Sequence, residues 1–272
     1  MAKRMPSTFV PRDIPQALRE AVNRTHSSWH STLLAGLEAV AESDPVYLPD
    51  LVRDDYLPNQ GRIFAAFSQP LQAVRHVLVG EGPYPRAESA SGFCFMDGAV
   101  QELWSEKGLS KRVNRATSLR NFMKMLLVAD GRLSVSQTTG DALSGIAQQA
   151  QSSSSTMIQT LAELQDNLHR HGFLLLNATL VYRAHVPPAK ESRAWEPFLK
   201  TVFTSLAEHA GQAKQALPQL VLWGKIAERL SVMPEAASFP QDVSEHPYNL
   251  SFIANPQMQR LFAPMTLLNK TM

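Results

Sequence analysis

A single cysteine, Cys94, stands among 272 residues, so no disulfide can form within the chain. A zinc or iron–sulfur site built on several thiolates is excluded by the same count. No apolar stretch approaches the roughly 18 residues that a membrane span requires, and the basic stretch Met1 to Arg12 has no apolar run behind it. The expectation is a soluble, cytoplasmic protein with no membrane partner. Charge is also scarce and nearly balanced, with 26 Lys and Arg against 24 Asp and Glu and a net charge of +2. That excess is too small to announce nucleic-acid binding by itself, because such binding rests on basic residues gathered on one face. The densest basic stretch is Lys107, Lys111, Arg112, Arg115, Arg120 and Lys124, whose plain reading is a solvated helix face and loop.

What the chain does have is a 44% hydrophobic composition, enough for one substantial core, and no low-complexity linker that would force a second domain. Apolar residues at helical spacing from Ile14 to Ala41 predict two helices, and a short apolar helix is expected around Ile63 to Phe67. Three apolar runs then read as buried parallel strands: His76 to Val79, Phe173 to Leu176 and Gln219 to Trp223. Helical patterns lie between them, Ile158-Leu161-Leu164-Leu168 and Trp195 to Leu206. The alternation predicts an α/β fold with a parallel sheet covered on both faces, whose ligands gather beyond the carboxyl ends of the strands. Those ends begin at Gly80, Asn177 and Gly224. The Ser- and Gln-rich stretch 133–155 reads as a mobile insertion.

The loop Gly80-Glu81-Gly82-Pro83-Tyr84-Pro85, followed by Gly92-Phe93-Cys94-Phe95, resembles the GQDPYH and GLCF motifs of the family 1 uracil-DNA glycosylases. Further matches follow in the same order from about Tyr56 onward. Tyr56-Leu57-Pro58 and Ile63 to Phe67 are similar to YPP and IFxAF. Ser118-Leu119-Arg120-Asn121 is similar to SLKN, with Ala116 and Thr117 in place of prolines. Leu174 to Ala178 matches LLLNA and continues to Arg183-Ala184-His185 and Trp195-Glu196. Leu222-Trp223-Gly224 matches LWG, and His246-Pro247-Tyr248-Asn249-Leu250-Ser251 is similar to HPSPLS.

The resemblance implies a single-domain three-layer α/β/α fold around a short four-stranded parallel sheet. An N-terminal helical segment, 1–55, would pack on a glycosylase-like domain, 56–272. It implies a monomeric, cofactor-free base-excision enzyme acting on uracil in single- or double-stranded DNA. Such an enzyme must extrude its target nucleotide, because the base is inaccessible inside a duplex. By the same resemblance Phe95 stacks on uracil, Asn177 reads its O4 and N3–H edge, and Tyr84 excludes the thymine methyl. His246 would donate to the developing O2 anion and Leu250 would wedge into the stack, while Ser118, Ser251 and His185 would lie near phosphates. Without the resemblance, each has a plain reading: core phenylalanine, turn asparagine, loop aromatic.

One departure bears on chemistry. The family's loop carries an aspartate where this chain has Gly82, and Pro85 replaces the following histidine. Two resolutions follow: Glu81, one residue earlier, supplies the carboxylate, as a similar GE(A/G)PG loop in the thermostable glycosylases implies, or catalysis is weak or absent and the protein binds DNA or a flipped base. A third class, a fold relative with a small-molecule pocket or protein partners only, remains open at this point.

Overall fold

The computed structural model describes residues 14–270; the stretch Met1 to Arg12 lies outside the described residues. Four strands, β1 (His76–Gly80), β4 (Phe173–Asn177), β5 (Gln219–Trp223) and β6 (Gln241–Ser244), form one parallel sheet in the order β4-β1-β5-β6. The apolar strands β1, β4 and β5 are buried because their side chains face helices on both sides, which is why they are rich in Val and Leu. β6 is half-exposed and polar, and no apolar run marks it. A two-stranded hairpin, β2 (Trp104–Ser105) and β3 (Gly108–Leu109), lies outside the sheet.

Eleven α-helices occur among the described residues. The first three, α1 (Gln16–Val22), α2 (His30–Ser43) and α3 (Tyr47–Leu51), bury Leu18, Leu33, Leu37 and Leu51 on one side of the sheet. There α2 packs along α8 (Pro188–Ala213). The short apolar helix expected around Ile63 to Phe67 is a 3-10 helix, Arg62–Ser68. On the other side of the sheet, α4 (Lys111–Arg115), α5 (Thr117–Ala129), α6 (Asp141–Gln151), α7 (Leu161–Arg170) and, beyond α9 (Lys225–Ser231) and α10 (Pro234–Ala237), α11 (Pro256–Phe262) enclose a second apolar cluster around Phe122, Trp223 and Phe262.

Two expectations are corrected here. The stretch 133–155 is not a mobile insertion: α6 spans its second half and buries Leu143, Ile146, Ala147 and Ala150 against the β2/β3 hairpin. Those positions are spaced at i, i+3, i+4 and i+7, a helical stripe that the polar residues between them obscure. The helical pattern starting at Ile158 begins only at Leu161, where Thr160 and Glu163 form a reciprocal capping box. The basic stretch also divides, since Lys111, Arg112 and Arg115 are exposed on α4 whereas Lys124 is buried on α5.

Asp130 caps the carboxyl end of α5, an unfavourable place for a carboxylate. Burial raises its pKa to about 6, against the opposing pull of Arg132, and its Oδ2 accepts no hydrogen bond. A carboxyl held above its unfolded value of about 3.9 destabilises the fold once ionised. That cost is full above the folded pKa and fades as pH falls toward the unfolded one. Asp130→Asn is therefore expected to raise the melting temperature by a few degrees at about pH 8 and to leave it unchanged at about pH 4. An equal shift at both values in thermal melts would show that the charge is not the cause.

Candidate functional site

The carboxyl ends of β1, β4 and β5 open into one cavity of about 190 Å³. Glu81, Tyr84, Phe95, Ser118, Asn177 and His246, singled out above from five separate stretches of sequence, all line it. Parallel strands in register explain the convergence. Gly80 lies opposite Asn177, and beyond the strand ends the chains stay paired through Ala178 N–H to Gly80 O (2.8 Å) and Thr179 N–H to Glu81 O (3.1 Å). The loop bearing Glu81 is thereby fixed to the end of β4.

Asn177 is 4% exposed, yet its Oδ1 is buried without a hydrogen-bond partner in the protein. Such an orphan costs about 1–3 kcal/mol and is uncommon in a well-packed interior. Its neighbour Gly80 makes room for it: a Cβ there would come within 2.9 Å of Cys94 Cβ and 3.0 Å of Asn177 Oδ1. The amide is held ready for a ligand that brings a donor.

Phe95 adopts a left-handed backbone conformation, φ 65°, a strain of about 1–3 kcal/mol for a non-glycine residue that persists only where its surroundings enforce it. Here its carbonyl accepts from the Tyr84 hydroxyl at 3.4 Å. Its ring meets Phe122 and Trp223 edge to face at 5.3 and 5.1 Å. Burial, with the nearby Asp97 and Cys94, pushes the Tyr84 phenol well above its ordinary pKa, so it stays neutral. Burial likewise raises the Cys94 thiol, which donates to Leu78 O and is no nucleophile.

His246 stands at the rim of the cavity, exposed as a whole but with its ring partly desolvated. That desolvation lowers its pKa, while the negative charge of Glu81 acts in the opposite sense. Its Nδ1 accepts the Tyr248 backbone N–H at 3.1 Å. Nδ1 must therefore be unprotonated, and the neutral ring carries its proton on Nε2 as a donor. The approach depends on Gly224, φ 70°, where a Cβ would lie 2.9 Å from His246 Cβ. Glu81 is exposed beside it. At Gly82 a Cβ would meet only Thr179, at an ordinary 3.5 Å, so crowding does not explain the missing carboxylate.

The remaining candidates lie elsewhere. His185 is absent from the cavity: its Nε2 pairs with Asp54 at 3.0 Å. Asp54 also binds Arg183, which in turn donates to the buried Glu191 at 2.6 Å, itself a partner of the Tyr47 hydroxyl. Leu250 projects into solvent, 69% exposed. Ser251 is exposed too.

Three site residues carried no role in the sequence reading. Trp223 and Ile226 wall the cavity; the aromatic end of an apolar strand was the available signal for the first. Buried Asn121 donates through Nδ2 to the carbonyl oxygens of Pro247, Tyr248 and Asn249 at 2.7, 3.3 and 3.4 Å, and no local pattern announces so distant a contact. Among the described residues no group of three or more His, Cys, Asp or Glu side chains is placed to hold a metal ion, and no helix is long and apolar enough to cross a membrane.

Fold and cavity together define an α/β protein with a small slot at a strand-end crevice. The slot is aromatic on one wall, has an unpaired amide on another and a neutral imidazole donor at its rim. No family model matches the chain. Among solved structures, the wild-type UNG of Nitratifractor salsuginis superposes with a TM-score of 0.84 at 36% identity, covering 97% of this chain and 100% of that one. The uracil-DNA glycosylase of Bacteroides thetaiotaomicron is 27% identical over 223 residues, 78% of this chain and 82% of that protein. That of Azobacteroides pseudotrichonymphae is 26% identical over 191 residues, 67% of this chain and 66% of that relative's length. The chain belongs to the uracil-DNA glycosylase family.

Proposed function

We propose that the protein hydrolyses the N-glycosidic bond of deoxyuridine in DNA after extruding the nucleotide, as a monomer and on single- or double-stranded substrate, with a site arranged most like that of the family 1 enzymes. The observation that carries this reading is the orphaned Asn177 Oδ1 in an aromatic-walled cavity. Uracil N3–H satisfies that oxygen, the Asn177 Nδ2–H donates to O4, and Phe95 covers the ring. Tyr84 fills the space at C5 and refuses a methyl group there.

In the reaction the C1′–N1 bond breaks, leaving positive charge on the sugar and an anion on uracil centred at O2. A water oxygen then bonds to C1′ and its proton passes to the medium. The departing anion is stabilised by a donor already in place, which needs no reorganisation at the moment of cleavage. His246 Nε2–H fills that role. Glu81 supplies the negative charge that complements the cationic sugar in place of the absent aspartate, being exposed at the mouth and close enough to act electrostatically on His246. Ser118 at the cavity wall and Leu250 on the exposed segment engage the phosphate and the gap left by the base, with Ser251 and His185 as outer phosphate contacts.

The test is uracil release from a uracil-containing oligonucleotide in chelator. Glu81→Gln is expected to reduce kcat by about ten-fold or more. It should also move the acid limb of the pH profile to lower pH, because the charge that raises the His246 pKa is gone. Unchanged kcat and an unmoved limb would remove Glu81 from the mechanism. No release by the native protein would make it a base-recognising binder.

A further inference from the structure

Tyr248 is 67% exposed, the one large aromatic side chain so exposed among the described residues, and it stands where the family pattern has a small serine. Its surroundings are not those of a loose loop. Its N–H is bonded to His246 Nδ1, its carbonyl and those of its two neighbours are gripped by buried Asn121, and Asn249 N–H closes onto His246 O at 2.9 Å. A rigid backbone therefore presents an unpartnered phenol ring two residues from the imidazole at the cavity rim and two residues before the exposed Leu250.

We propose that Tyr248 is a stacking platform for a base next to the extruded uracil, a binding residue distinct from those that hold uracil itself. This rests on the reading of the site as one for a flipped uracil. When a nucleotide leaves the stack, each neighbouring base loses the partner on one face, and an aromatic ring fixed at the rim replaces that partner. Stacking of this kind accepts any base, since each has a π-face, and is worth about 1–3 kcal/mol by alanine substitution. It requires nothing from an opposite strand, so Tyr248 serves single-stranded substrate as well as duplex. A rigid anchor also forfeits little conformational freedom on binding.

The experiment compares native protein, Tyr248→Phe and Tyr248→Ser in uracil release and in anisotropy-measured affinity for a uracil-containing oligonucleotide. A second oligonucleotide has both nucleotides flanking the uracil replaced by abasic analogues. Tyr248→Ser is expected to raise KM and Kd by roughly 5- to 150-fold with kcat unchanged, and Tyr248→Phe to behave as native. On the abasic-flanked strand, native and Tyr248→Ser should converge. The proposal is overturned if Tyr248→Ser binds like native, if Tyr248→Phe loses as much as Tyr248→Ser, which would indicate a hydroxyl–phosphate contact, or if the penalty persists on the abasic-flanked strand. If native protein binds the strand but releases no uracil, the glycosylase reading fails while the affinity series still decides the role of Tyr248.

Discussion

Asn177→Ala is expected to lower uracil release by roughly 10²- to 10³-fold or more while leaving the protein as stable as before, or more stable. The two halves of that result come from one fact. In the absence of ligand the Asn177 Oδ1 is buried and bonded to nothing, so removing it relieves a desolvated polar atom worth about 1–3 kcal/mol. With uracil present, the same truncation strips the donor and the acceptor that read the pyrimidine edge, and a site built around hydrogen bonds to its substrate discriminates far more strongly than one built on shape alone. An asparagine that merely ended a strand would behave in the opposite way, losing stability and keeping turnover. Uracil release measured beside a thermal melt distinguishes them, and a destabilised variant with native kinetics would sink the assignment.

His246→Ala is expected to reduce kcat by about 10²- to 10³-fold, the usual cost of deleting one preorganised donor to a developing oxyanion, with a much smaller change in KM. Its signature is a pH dependence. Desolvation lowers the His246 pKa, and protonation at Nδ1 would set two donors face to face, the new N–H against that of Tyr248. The neutral ring is the working form, so native activity is retained as pH falls below the ordinary histidine value of about 6.5. It is lost only as pH passes through the lowered one. In His246→Ala that acid limb should disappear from the residual activity, leaving the titration of other groups. A limb identical in native and variant would assign it elsewhere, to Glu81 or to the DNA.

Much of this was readable before any coordinates. The strand ends at Gly80, Asn177 and Trp223 follow from apolar runs that stop at turn residues, and in a parallel sheet such ends must lie side by side. That ordering brings together the segments bearing Glu81, Tyr84 and Asn177; Phe95, Ser118 and His246 join them only through the resemblance of their motifs. Where the reading fell short, the decisive contacts lie between segments far apart in sequence. His185 is held by Asp54, and the carbonyls of 247–249 by Asn121; neither pairing leaves a periodic trace. β6 carries no apolar run because its side chains are half-exposed, unlike those of the other edge strand, β4. α6 is obscured differently: its helical stripe of Leu143, Ile146, Ala147 and Ala150 is diluted by the Ser and Gln residues between them.

The grip of Asn121 has a consequence for how such a protein can diverge. It holds three successive carbonyl oxygens, groups that every amino acid possesses, and the His246 ring is oriented by a backbone N–H that almost every amino acid possesses as well. Side chains at 248 and 249 are thus free to be exchanged over generations without disturbing the placement of the imidazole a few ångströms away. Tyr248-Asn249 stands where the HPSPLS motif that this segment resembles has Ser-Pro. A lineage can thereby retune how it grasps a strand while inheriting its chemistry intact.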